Sequence, residues 1–117
     1  MCGAGAAGTA ILKLMLHAGL RHVVVTDVDG VVHRGRADVL SGDHPNHAWI
    51  ADHTNPDDVR GSLSEALRGA DVFLGVSAPN ILTEADIASM APDSVVFAMA
   101  NPVPEIDPDI AARHAAV

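Results

Sequence analysis

The residues Gly3-Ala4-Gly5-Ala6-Ala7-Gly8 form a G-x-G-x-x-G pattern directly before a run that is typical of a helix. In this pattern the first glycine permits a tight turn, the second lets the backbone approach a pyrophosphate, and the third allows close packing of helix on strand. The N-terminus of the helix then faces the negative phosphates. The stretch therefore predicts a dinucleotide-binding turn, although a helix that needs small residues only for packing would show the same glycines.

A carboxylate follows this turn at the spacing that dinucleotide binding requires. Residues 22–27 are β-branched and apolar, which predicts a buried strand, and Asp27 ends it 19 residues after Gly8. A carboxylate at that place accepts hydrogen bonds from the adenosine ribose. Asp27 would also repel a 2′-phosphate, which favours NAD over NADP. Arg34 and Arg36 are candidates to bind such a phosphate, but we prefer to interpret them as part of a solvated loop.

Helix-like and strand-like segments alternate along the rest of the chain. Helices are predicted over 6–18, 46–52, 62–67, 84–90 and 107–116, and strands over 22–27, 71–76 and 94–100. The strands are apolar throughout, which indicates that both faces of the sheet are covered. The alternation predicts an α/β fold with a Rossmann-like, doubly wound parallel sheet.

Two further expectations concern the first helix and the segment that precedes it. Thr9, Lys13 and His17 form a single polar stripe, so most of that helix is predicted to be buried. Only Met1 and Cys2 precede the glycine turn, although the first strand of such a sheet normally comes before it and lies in its middle. We therefore expect an incomplete sheet without this first strand, and residues 1–117 to be part of a nucleotide-binding domain.

The composition excludes several classes of function. The chain has 117 residues, of which 49% are apolar, so it has the composition of a folded soluble domain. A net charge of −8 and an aromatic content of 3% argue against nucleic-acid binding, which needs clustered positive charge and stacking side chains. No apolar run suits a membrane helix or a signal peptide, so a cytoplasmic location is expected.

A group of histidines and aspartates in the middle of the chain is a weak candidate for a metal site. Its members are Asp43, His44, His47, Asp52 and His53. Imidazole and carboxylate together bind zinc or manganese, but the spacing matches no known ligand pattern. We interpret the segment as a solvated polar excursion, and no metal ligand is assigned in this chain.

Four stretches together resemble the nucleotide-binding domain of bacterial-type malic enzymes. They are G-A-G-A-A-G-T-A from Gly3, V-V-V-T-D-V-D-G from Val23, G-A-D-V-F-L-G-V-S-A-P from Gly69 and F-A-M-A-N-P-V-P-E-I from Phe97. The resemblance implies an enzyme that oxidises malate with NAD or NADP and a divalent metal, Mg²⁺ or Mn²⁺, and decarboxylates the intermediate to pyruvate. It also implies a homo-oligomer.

The resemblance implies roles for individual residues. The turn from Gly3 to Gly8 would cradle the pyrophosphate and Asp27 would hold the adenosine ribose. Ser77 and Ala78 would approach the cofactor, and Asn101 would reach its nicotinamide end and the substrate. An amide suits a ribose or a hydroxy acid because it donates and accepts hydrogen bonds at once. The alternative for Asn101 is an Asx turn set by the following proline.

The resemblance also implies what is missing. The family's tyrosine acid, lysine base and acidic metal ligands lie upstream of the glycine turn, whereas this chain has no tyrosine and a single lysine, Lys13. No catalytic residue is assigned, and we expect the cofactor-binding portion of a malic enzyme, from a partial sequence, without malate turnover of its own. A stand-alone NAD-binding module or a decayed gene product is the alternative. Another dehydrogenase, such as one acting on amino acids, is disfavoured by A-N-P-V-P-E-I.

Overall fold

The computed structural model describes residues 1–117 and divides into two compact units. The first unit holds Met1 and Gly3–Ser62, and the second holds Cys2 and Leu63–Val117. The elements of the first unit are α1 (Ala6–His17), β1 (Thr26–Asp27), β2 (Gly30–Val31), α2 (Ala37–Ser41) and α3 (Pro45–His53). Those of the second are α4 (Leu63–Leu67), β3 (Val72–Gly75), α5 (Glu84–Ala88), β4 (Val95–Ala98) and α6 (Pro108–Ala111). None of the helices has the length and apolar character of a membrane span.

A tight hairpin terminates the predicted strand at residues 22–27. β1 pairs antiparallel with β2, with Thr26 opposite Val31 and Asp27 opposite Gly30. Gly30 has a φ of +102°, which a side chain would disfavour, so a glycine suits this turn. Regular strand is confined to the end of the predicted 22–27 segment, although Val23 and Val25 are buried as expected.

The first three residues make hydrogen bonds of the kind found between parallel strands. In the first unit, Thr26 N donates to Met1 O and Gly3 N donates to Thr26 O, both at 2.9 Å. In the second unit, Cys2 N donates to Leu74 O at 2.8 Å and Val76 N donates to Cys2 O at 3.0 Å. Each unit thus contains parallel-type backbone hydrogen bonds to a residue or residues of the segment 1–3.

The second unit contains the parallel pair that confirms the α/β class. β3 and β4 run parallel, with Val72 opposite Val95 and Gly75 opposite Ala98. Phe73 is buried in a cluster with Leu67, Ile87 and other apolar residues. The prediction that both faces are buried is wrong here, because Val72 is 51% exposed and Phe97 is 46% exposed. Within this unit, the apolar cluster buries one side of the strands and leaves the other open.

The helices correct two further predictions. α1 has its predicted bounds, but its polar stripe does not mark the solvent side, since Thr9 is buried and Leu14 is 70% exposed. α2 lies where neither a helix nor a strand is predicted, and α6 ends sooner than predicted. Two helices have a side-chain N-cap, because Thr83 accepts from Asp86 N at the start of α5 and Asp107 accepts from Asp109 N at the start of α6.

Candidate functional site

Each glycine of the turn takes the part that its position predicts. Gly3 has a φ of +118° and its N–H donates to Thr26 O at 2.9 Å. A Cβ on Gly5 would meet nothing within 4 Å, so the backbone there faces open space. A Cβ on Gly8 would collide with the carbonyl oxygen of Gly3. The turn therefore brings α1 tightly against residue 3 and leaves its outer side accessible.

The N-terminus of α1 behind this turn is not capped by any side chain. Gly5 is the N-cap residue, and Ala6 and Ala7 of the first turn are exposed. The first N–H groups of a helix have no acceptor within the helix, and the aligned peptide dipoles give that end a partial positive charge. The turn thus offers N–H donors and favourable electrostatics to an anion.

An asparagine far along the chain holds the turn in place. Asn46, in the first turn of α3, donates from Nδ2 to Ala4 O at 3.0 Å and to Thr9 Oγ1 at 2.9 Å. One amide group therefore links the glycine turn to the second turn of α1. Sequence reasoning missed this residue, because nothing local marks a partner 42 positions away.

Asp27 is held by a two-point ion pair. Arg36 donates from Nη1 to Asp27 Oδ1 and from Nη2 to Asp27 Oδ2, both at 2.9 Å. The side chains of Asp27 and Arg36 are only 12% and 10% exposed. The interpretation of Arg36 as part of a solvated loop is therefore wrong, whereas Arg34 is exposed and contacts only the backbone oxygens of Thr54 and Asn55. A paired, two-point contact fixes the orientation of the carboxylate.

Asp38 and His47 extend the pair into a network. Arg36 donates from Nε and Nη2 to the two carboxylate oxygens of Asp38, at 2.9 and 2.7 Å. His47 Nδ1 lies 2.8 Å from Asp38 Oδ2, and its Nε2 lies 3.8 Å from Asp27 Oδ2. The hydrogen bonds from Arg36 and His47 lower the pKa of Asp38 well below its ordinary range, and those to Asp27 and Asp38 raise the pKa of Arg36.

This network contains the one cluster of side chains with the composition of a metal site. Asp27, Asp38 and His47 offer ligand atoms within 4.8 Å of one another. The guanidinium of Arg36 already bonds both carboxylates and supplies their positive partner. The residues therefore do not suit the divalent metal that the resemblance implies. His47, predicted to lie in a solvated excursion, is instead part of this partly buried network.

The three predicted site residues of the second unit follow its parallel strands. Ser77 and Ala78 come after β3, Asn101 comes after β4, and all three are exposed. The side chain of Asn101 makes no hydrogen bond within the protein, so the alternative Asx turn is not formed. Ser77 N donates to Glu105 Oε1 at 3.1 Å. Sequence reasoning did not single out Glu105, which is fully buried.

Comparison with known proteins returns a consistent set of relatives. An NAD-dependent malic enzyme of Geobacillus stearothermophilus is 47% identical over 119 aligned positions, which cover 100% of this chain and 24% of the relative. An NADP-dependent malic enzyme of Halomonas elongata is 43% identical over 111 positions, covering 93% of this chain and 24% of the relative. The crystal structure of an NAD-dependent malic enzyme from Thermotoga maritima matches with a TM-score of 0.89 and 43% identity, covering 98% of this chain and 30% of that one. No protein-family model matches. The chain thus spans about a quarter of the length of the curated relatives it matches.

The lowered pKa of Asp38 predicts how the variant Asp38→Asn responds to acid. A carboxylate whose pKa is lower in the folded state stabilises that state above its unfolded-state pKa of about 4, and the stabilisation is lost as the pH falls from there towards the lowered pKa. The free energy of unfolding of the wild type should therefore exceed that of the variant by a constant amount above about pH 5. The excess should shrink as the pH falls below about 4, in urea titrations at several pH values.

The matched control is Asp52→Asn, which neutralises an exposed carboxylate without an ion pair. It should lower stability little at any pH. A difference between wild type and Asp38→Asn that stayed the same from neutral pH down to acid would contradict the network.

Proposed function

Because the chain belongs to the malic enzyme family, we propose that it forms part of the NAD-binding domain of an enzyme that oxidises malate and decarboxylates the product to pyruvate. The observation that carries the proposal is the glycine turn at the uncapped N-terminus of α1, joined through Thr26 to the strand that ends in Asp27. An enzyme of this kind positions its substrate against the nicotinamide ring, so the protein's contribution is binding and orientation.

In this proposal the first unit binds the adenosine diphosphate part of the cofactor. The open side of Gly5 and the N–H groups of the first turn of α1 receive the pyrophosphate. Asp27 receives the ribose hydroxyl groups. Asp27 Oδ1 already accepts from Arg36 Nη1 and from Asp29 N, whereas Oδ2 accepts from Arg36 Nη2. Each oxygen has two lone pairs, so Oδ2 can accept a hydroxyl while Asp27 keeps its bonds to Arg36.

The same network supports NAD as the cofactor. Three carboxylates surround the guanidinium of Arg36, those of Asp27, Asp38 and Asp29, and they outnumber its charge even with the imidazole of His47 beside them. A 2′-phosphate beside Asp27 would meet this net negative charge. Arg36 would also have to give up four hydrogen bonds to carboxylates before it could bind the phosphate. Relatives that use either nucleotide are known, so this preference belongs to the residues of this chain.

The second unit is proposed to contribute Ser77, Ala78 and Asn101. Ligands of parallel α/β sheets bind at the carboxyl ends of the strands, which is where these residues follow β3 and β4. Asn101 has a free amide for the nicotinamide ribose or for malate. The residues of this chain include no tyrosine, and Lys13, the single lysine, lies over the ring of Trp49. No acid, base or metal ligand of the reaction is therefore assigned to them.

The variant Gly5→Ala separates binding from folding. Gly5 has a φ of −81° and open space at the Cβ position, so alanine fits without strain and the melting temperature should not fall. The added methyl group occupies the space proposed for the pyrophosphate. The affinity for NAD, measured by isothermal titration calorimetry, should therefore fall by about tenfold or more. Unchanged affinity in a variant that folds like the wild type would refute the proposed place of the pyrophosphate.

The variant Asp27→Ala tests the choice of nucleotide. It removes the ribose acceptor and frees one side of the Arg36 guanidinium. Calorimetry with both nucleotides should show weaker binding of NAD and stronger binding of NADP, with the ratio of the two affinities changing by about tenfold or more. Arg34→Ala, which removes an exposed arginine of the same segment, should leave the ratio unchanged. A ratio that did not respond to Asp27→Ala would exclude Asp27 as the residue that decides the nucleotide.

The 117-residue chain should not turn over malate. Hydride transfer needs substrate and nicotinamide held in a defined geometry, and no acid, base or metal ligand of the reaction is assigned to the residues of this chain. Absorbance of reduced nicotinamide, followed with malate, Mn²⁺ and either nucleotide, should stay flat. Sustained production of NADH or NADPH by the purified chain would show that its own residues carry the chemistry.

A further inference from the structure

The carboxylate of Glu105 is buried without a basic partner. Its residue is 0% exposed, and no lysine, arginine or histidine forms an ion pair with it. Burial of a carboxylate in apolar surroundings costs free energy unless hydrogen bonds compensate it. The compensation comes from two backbone donors, Ser77 N to Oε1 at 3.1 Å and Ala100 N to Oε2 at 3.0 Å. Each oxygen thus receives one charge-assisted hydrogen bond.

The two donors occupy equivalent places in the parallel pair. Ser77 is the second residue after β3, and Ala100 is the second residue after β4. The carboxylate therefore spans the two carboxyl ends of the strands and sets how far apart the following loops begin. Ser77 itself, with Ala78, lies in the first loop, and Asn101 is the next residue of the second.

The backbone around Glu105 reinforces this link. Glu105 O accepts from Leu82 N and Pro104 O accepts from Asn80 N, both at 3.0 Å. Residues 104–105 are therefore bonded to the first loop through two backbone carbonyls as well as through the carboxylate. Glu105 belongs to the loop after β4, and its carboxylate also holds the start of that loop through Ala100 N. Met99 N, one residue earlier, donates to Gly75 O at 3.0 Å.

The sequence leaves room for the carboxylate at one position. A Cβ on Gly75 would lie 2.5 Å from Glu105 Cδ, so the last residue of β3 must be a glycine for Glu105 to occupy this place. Phe73 closes the apolar surroundings, with 1% of its surface exposed. Gly75 and Glu105 are thus matched in size although they are far apart in sequence, because the missing side chain of one leaves the space for the carboxylate of the other.

We propose that Glu105 is a positioning residue for the nicotinamide half of the cofactor, acting through the loops that carry Ser77, Ala78 and Asn101. This inference rests on the proposed function. The side chain of Asn101 makes no hydrogen bond of its own, so the backbone on which it stands determines where its amide lies. The carboxylate of Glu105 is the side-chain group that holds this backbone at Ala100 to the loop after β3 at Ser77, beside the backbone bonds that join the two loops.

The test compares NAD with ADP-ribose, which lacks the nicotinamide, in the full chain. Glu105→Gln keeps the size of the side chain but replaces one accepting oxygen with a donor, so one of the two backbone N–H groups loses its acceptor. In calorimetry the variant should bind NAD about tenfold more weakly and bind ADP-ribose as the wild type does. The amide resonances of Ser77 and Ala100 should move in the NMR spectrum. Glu84→Gln, which neutralises an exposed glutamate on α5, should change neither affinity.

The outcomes separate the two hypotheses. A wild type that bound neither ligand would refute the proposed function. A folded Glu105→Gln variant with equal losses for both ligands, or with none, would refute the positioning role. If the variant does not fold, the NMR spectrum of the wild type provides the test. Its Ser77 and Ala100 amide resonances should shift on addition of NAD and not on addition of ADP-ribose. The inference would be overturned if NAD shifted the amide resonances of the glycine turn but left those of Ser77 and Ala100 unchanged.

Discussion

The close approach of Gly8 to the carbonyl oxygen of Gly3 is the contact on which the first unit depends. No side chain fits at residue 8, so α1 packs directly against the turn, and Gly3 at the start of the turn is bonded to Thr26 in the strand that ends in Asp27. A helix N-terminus provides donors and partial positive charge, and the following strand provides a carboxylate. These are the two groups that an adenosine diphosphate needs. Asn46 holds the glycine turn to α1 by donating to Ala4 O and Thr9 Oγ1.

The charge around Asp27 depends on Arg36, whose guanidinium is shared between the carboxylates of Asp27 and Asp38. Arg36 orients Asp27 without cancelling the negative charge of the cluster, because the same guanidinium also donates to Asp38. The arrangement resembles a metal site in its ligand atoms, yet an arginine provides its positive charge. In the proposed function this arrangement orients an acceptor for a ribose hydroxyl and disfavours a further phosphate.

Local sequence patterns predicted most of the helices and the parallel strands, whereas long-range contacts could not be predicted from them. The glycine spacing, the caps at Thr83 and Asp107 and the helix bounds all depend on residues within a few positions of each other. The partners of Asp27 and Ser77 lie 9 and 28 positions away and are joined only by the fold. Apolar strand residues also predicted burial on both faces, because composition alone does not show which face the neighbouring helices cover.

A structure of the chain with NAD bound tests the proposal most directly. The pyrophosphate should lie against Gly5 within hydrogen-bond distance of the first N–H groups of α1, with a ribose hydroxyl on Asp27 and Arg36 still bonded to that carboxylate. A dinucleotide found elsewhere on the chain, or an Asp27 turned away from the ribose, would contradict it.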